Sequence, residues 1–168
     1  TDVETISLTN TNAQNNTSDG VDISAATSVD ISGGNYSSND YTGIYLGTIT
    51  GAVSISNATV DDHPDAGINS GTGLYVGWAD SVTVTGGSYS GNELTGLDIN
   101  FVVNAITLTG VVADNNTGSG LGEGVLVQFA GSVEVNSGSF SGNELTGLDL
   151  IAIPGSVTLN NVTANNNT

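Results

Sequence analysis

The chain has no lysine and no arginine among its 168 residues, against 17 aspartates and glutamates, so its formal charge is −17. Such a surface repels phosphate, which sets nucleic acid and membrane insertion or docking aside and leaves divalent cations as the favoured ions. Cysteine is absent, so there is neither a disulfide framework nor thiolate chemistry, and that absence does not fix the compartment. Methionine is absent as well, so the chain reads as processed or excised, and the lack of a signal segment at Thr1 says nothing against secretion. Aromatics make up 5% and hydrophobic residues 37%, mostly small aliphatics, which excludes a thick globular core. No apolar run is long enough to cross a bilayer. Small polar residues and the missing tryptic sites suit an extracellular or cell-surface location.

What is present is repetition. The stretch from Ser81 to Ile99 returns almost unchanged from Ser132 to Leu150. Aligned on it, every unit opens with an apolar pair two residues apart, the first member being Ile6, Val29, Val53, Val82, Ile106, Val133 or Val157, at steps of 23, 24, 29, 24, 27 and 24 residues. An apolar residue follows at Ala13, Tyr36, Val60, Tyr89, Ala113, Phe140 and Ala164. Three further on comes a column of Asn16, Asn39, His63, Asn92, Asn116, Asn143 and Asn167. In six of the units a glycine then opens a second apolar pair, as in Gly96-Leu97-Asp98-Ile99.

Alternation places each pair on one face of extended chain. The period is too short for a βαβ unit and no segment carries a helical pattern, so each unit is one turn of a coil. Stacked turns pair in parallel, and crossover handedness favours a right-handed coil. The expected fold is all-β, a single-stranded right-handed parallel β-helix (β-solenoid) of about seven coils of 23–29 residues with an inward asparagine ladder. It forms one domain over 1–168, with coils starting near 5, 28, 52, 81, 105, 132 and 156, the last incomplete. In Val82-x-Val84, Asn92 and Gly96-Leu97-x-Ile99 the pattern resembles the parallel β-helix repeat of the pectate-lyase-like superfamily. That resemblance implies the scaffold; lyases of similar fold use active-site arginine or lysine, which this chain lacks.

The asparagine column is expected to bond the backbone of its own and the next coil. His63, within Asp61-Asp62-His63-Pro64-Asp65, reads as a substituted ladder residue. The neighbouring Asp61, Asp62 and Asp65, with Asp98, form a candidate calcium site, although no cofactor is required. Coils three and five are lengthened after His63 and Asn116, and the two loops are expected to flank a shallow site. Tyr45 and Tyr75 face outward between carboxylates as a candidate contact with a sugar or a protein. Trp78, Phe101 and Phe129 read as an inward aromatic stack. Outward Ser and Thr rows on the first strand resemble an ice-binding face, interrupted by Asp30 and Glu134.

Neither end carries a cap, so Ile6 and Leu8 at one end and Val157 and Leu159 at the other are expected to meet a neighbouring repeat of a longer chain or a second copy, head to tail. The leading expectation is a structural or adhesive solenoid of a surface fibre, not an enzyme. A polysaccharide-binding or polysaccharide-degrading β-helix is the second reading and an ice-binding protein the third.

Overall fold

A few alternating residues commit a segment to extended chain when one face is buried and the other solvated. The computed structural model describes residues 4–64, 67, 70–118 and 120–168, and every regular element among them is a strand. In chain order these are β1 (Thr5–Thr9), β2 (Val21–Ala26), β3 (Ser28–Ser32), β4 (Thr42–Ser56), β5 (Thr72–Thr85), β6 (Leu97–Thr109), β7 (Val125–Asn136), β8 (Leu148–Ile151) and β9 (Val157–Asn160). All pair in parallel, each residue with its equivalent one coil away, as in Ile6 with Val29 and Val29 with Val53. The result is a right-handed β-solenoid of about six turns.

Each of β4 to β7 carries the second strand of one coil and the first strand of the next. The two halves meet at a bend where the register shifts, for instance between Ala79 and Val82. A third ladder is one residue wide, running through Asn12, Asn35, Thr59, Ser88, Val112, Ser139 and Thr163. Two corners use a left-handed residue in every coil. After the first strand it is Asn10, Gly33, Asn57, Gly86, Gly110, Ser137 and Asn161; before the asparagine column it is Asn15, Ser38, Asp62, Gly91, Asn115, Gly142 and Asn166. Left-handed backbone costs an ordinary side chain about 1–2 kcal/mol and costs Asn, Asp and Gly less. The polar composition of the chain is therefore largely the composition of its corners.

The third corner corrects one expectation. Alternation from Leu97 and Ile99 would send Phe101 inward, yet Phe101 is 53% exposed and Phe129 49% exposed. Both adopt positive φ (46° and 57°), which turns the chain so that the next residues, Val102 and Ala130, enter the core instead. In coil three Trp78 is only partly buried and Ala79 takes the inward place. Phe101 and Phe129 do stack, with centroids 4.9 Å apart and planes 7° apart, but on the outer surface.

Inside, volume is balanced within each coil. Coils two, four and six bury Tyr36, Tyr89 and Phe140, and each carries a glycine two residues earlier: Gly34, Gly87 and Gly138. A Cβ on Gly138 would stand 2.5 Å from Phe140 Cζ, so the ring fills the space the glycine leaves. Coils three and five instead pair Ala58 with Val60 and Val111 with Ala113. The packing unit is thus two coils, matching the near-identity of Ser81–Ile99 and Ser132–Leu150, which begin 51 residues apart. Tyr89 keeps its hydroxyl buried with no partner among the described residues, where coil six has Phe140.

Candidate functional site

Two ladders of side chains hold the corner between the one-residue ladder and the second strand. In the first, Asn39 Oδ1 accepts from Asn16 N–H (3.0 Å) and Nδ2 (2.8 Å), and Asn116 Oδ1 accepts from the same groups of Asn92, both at 3.0 Å. Asn143 receives Asn116, and Asn167 receives Asn143, in the same way. Three of the Nδ2 groups also reach a carbonyl one coil back: Asn39 to Ala13, Asn92 to Val60, Asn143 to Ala113. The glycine column explains the fit. A Cβ on Gly73 or Gly96 would stand 2.9 Å from Asn92 Nδ2 or Asn116 Nδ2, the ladder amide of the following coil.

His63 is buried in this column. Its N–H donates to Asn92 Oδ1 (3.3 Å), while its Nδ1 stands 3.1 Å from Asn39 N and 3.0 Å from Asn39 O. One ring nitrogen thus stands in for an amide that offers both an acceptor and a donor, and Nε2, lying against Gly43, has no partner among the described residues. Burial pushes its pKa down, only partly offset by the Asn39 backbone and the Asp61, Asp62 and Asp19 carboxylates.

The second ladder was hidden in the sequence as an alternation of Ser and Asp two positions before the asparagines. Ser37 Oγ accepts from Asp61 N–H (3.0 Å), Asp61 Oδ1 from Ser90 N–H (2.7 Å), Ser90 Oγ from Asp114 N–H (3.0 Å) and Asp114 Oδ1 from Ser141 N–H (2.6 Å). Asp61 and Asp114 also accept the hydroxyls of Ser88 and Ser139. Among the candidate calcium ligands, Asp61 is therefore engaged by the backbone, Asp62 is an exposed corner residue, and Asp65 lies outside the described residues. Asp98 belongs to another column, on β6. Among the described residues no three His, Asp or Glu side chains gather as a metal's ligand set.

Asp98 instead lines a cleft of about 540 Å³ on the outside of the second strands. Along the stack the outward residues Asp22, Tyr45, Tyr75, Asp98, Leu126 and Asp149 are in register. Tyr45 and Tyr75 stack with centroids 5.1 Å apart and planes 9° apart. The neighbouring column, just before the glycines, supplies Thr42, Thr72, Thr95 and Glu123. Leu94, Leu121 and Leu145 complete the lining, Leu121 and Glu123 coming from the lengthened part of coil five.

Glu123 stands where the three preceding coils have threonine. Burial, with the Asp149 and Asp98 carboxylates nearby, pushes its pKa up to about 7. Asp98 is raised too, burial outweighing the hydrogen bond it accepts from Asn100 Nδ2 (2.7 Å). The Tyr75 hydroxyl is raised by burial and then by Asp98 and Tyr45.

These shifts give stability two opposed pH slopes. From about pH 4.5 to 7 the folded state holds a proton on Glu123 that the unfolded chain has released, so this contribution is lost as pH rises through that window. Below about 6.5 the unfolded chain protonates His63 while the folded state resists, so that contribution is lost as pH falls. Melting temperature against pH is expected to flatten on the first limb in Glu123→Thr and on the second in His63→Asn, which also restores the amide. A difference from the parent that stays constant from pH 4 to 8 would discard the assignment.

The sequence-predicted Tyr45 and Tyr75 meet in the cleft; Glu123, the threonines and the leucines were not singled out. Ile6, Leu8, Val157 and Leu159 occupy the first and last rungs, paired with Val29, Ile31, Val133 and Val135. No family model matches the chain, and no curated protein or solved structure matches it either.

Proposed function

We propose that the chain is a structural, adhesive β-solenoid of an extracellular or cell-surface kind that holds polysaccharide in the Tyr45–Tyr75 cleft. The observation that carries this reading is the stacked tyrosine pair beside buried threonines and two carboxylates. Sugar rings pack their C–H faces on aromatic rings while their hydroxyls seek acceptors, and the cleft offers both. The kinship proposed is with the pectate-lyase-like scaffold, on the coil pattern alone, without its basic catalytic groups and with binding rather than cleavage as the role.

The test is affinity electrophoresis and calorimetry with a panel of neutral and charged glycans. Tyr75→Ala is expected to weaken binding of whichever glycan the parent takes about tenfold, as loss of one stacking contact of about 1.5 kcal/mol predicts. Tyr41→Ala, at an exposed tyrosine outside the cleft lining, serves as control. A parent that binds none of the glycans, or a Tyr75→Ala protein that binds as well, defeats the reading.

End-to-end stacking of copies is a second reading, supported by the parallel register in which each described coil already stacks on the next. Charge opposes contact between copies, so association is expected to rise with salt.

A further inference from the structure

In register the tyrosine stack is flanked by an aspartate on each side, Asp22 beside Tyr45 and Asp98 beside Tyr75, and the cleft lining continues on the Tyr75 side. Tyr45 covers one side of Tyr75. On the other side the next residue in register is Asp98, too short to cover a ring, and the one after is Leu126. Coils repeat at about 4.8 Å, so Tyr75 and Leu126 are anchored about 9.6 Å apart with only a carboxylate between them. The cleft opens there, and Glu123 enters it from the adjacent column. Asp149, one coil beyond Leu126, adds a third negative charge, and the chain has no lysine or arginine to balance them.

An aromatic face beside uncompensated, part-buried carboxylates is a setting for an organic cation, which gains from the ring's electron-rich face and from both carboxylates. A uronic acid would be repelled, and a neutral sugar would leave the charges unbalanced. We propose that the cleft takes an amino sugar, one pyranose ring lying on the Asp98 side of Tyr75 with its ammonium group between Asp98 and Glu123. This rests on the polysaccharide reading above and names the class of sugar. It also gives the Thr-to-Glu change at position 123 a role. Burial and the neighbouring carboxylates push the Glu123 pKa up to about 7; an ammonium group beside it would take the place of that proton.

The experiment is calorimetry at pH 5.5, where the sugar amines are already protonated in solution, and at fixed ionic strength, with a glucosamine tetramer, its fully N-acetylated counterpart and a galacturonate tetramer. The parent is expected to bind the amine form at least tenfold more tightly than the acetylated form and the uronate not at all. Binding of the amine form is expected to release protons, seen as a dependence of the heat on the buffer's ionisation enthalpy. Glu123→Gln and Asp98→Asn should each remove most of the preference, with Glu123→Thr, the residue of the neighbouring coils, as a second variant at that position. Asp30→Asn, on the exposed face of β3, should keep it. If both tetramers bind equally and Tyr75→Ala weakens both, the amino-sugar proposal falls while the polysaccharide reading stands. If the preference survives in Glu123→Gln and Asp98→Asn, it belongs to bulk charge and the proposal falls. If no sugar binds, both fall.

Discussion

Asn92→Ala is expected to lower stability by about 3 kcal/mol, a fall of roughly 6 to 12 °C in melting temperature for a chain of this size. The side chain accepts the His63 N–H and donates to Val60 O and Asn116 Oδ1, all inside the coil. Alanine leaves the His63 N–H and the Val60 carbonyl buried without those partners, and each such loss costs about 1–3 kcal/mol. Asn92 itself has no exposed surface. Thr83→Ala, on the exposed face of β5, is the control and is expected to stay within about 0.5 kcal/mol of the parent. Thermal and urea melts of the two variants decide it; equal midpoints would remove the ladder from the account of stability.

A comparable loss, about 3 kcal/mol, is expected for Gly96→Ala, for a different reason. A Cβ there would stand 2.5 Å from Tyr89 O, 2.7 Å from Gly124 O and 2.9 Å from Asn116 Nδ2. Two of these are backbone and the third is an amide held at both ends by the ladder, so none has freedom to yield. Gly110→Ala separates this from backbone strain. Gly110 has φ +63 and open space around it, so alanine there meets only the left-handed penalty of about 1–2 kcal/mol. Should Gly110→Ala prove as damaging as Gly96→Ala, close approach to the ladder is not what the glycine column serves.

The strands were legible because their information is local: Val82-x-Val84 and Leu97-x-Ile99 each carry a period of two within a few residues. The asparagine column was legible because one residue type recurs at nearly every coil. The alternation argument failed at Phe101 because a left-handed residue breaks the period of two, and nothing in Ile99-Asn100-Phe101 announces the bend. The cleft was legible only by half. Tyr45 and Tyr75 stand out as bulky residues in an outward column, but Glu123 becomes visible only when coil five is laid over Thr95, Thr72 and Thr42. The lengthened segment after Asn116 obscures that alignment. The Ser/Asp ladder escaped for a related reason: its members differ in charge from coil to coil while sharing the task of accepting one backbone N–H.

The pairing of glycine with a buried ring in alternate coils, and the alternation of serine with aspartate beside it, bears on how such a chain lengthens over generations. Excising one coil from the middle would bring Asp61 directly beneath Asp114, removing the serine that keeps the two carboxylates apart, and would unite two coils of the same parity. Excising or copying a stretch such as Ser81 to Gly131 restores the original neighbours at the junction. Inherited length changes should therefore come in steps of two coils, as duplications in tandem, and the kinship of Ser81–Ile99 with Ser132–Leu150 reads as the trace of one such event. Each duplication would carry along one lengthened corner, and with it the raw material for another cleft.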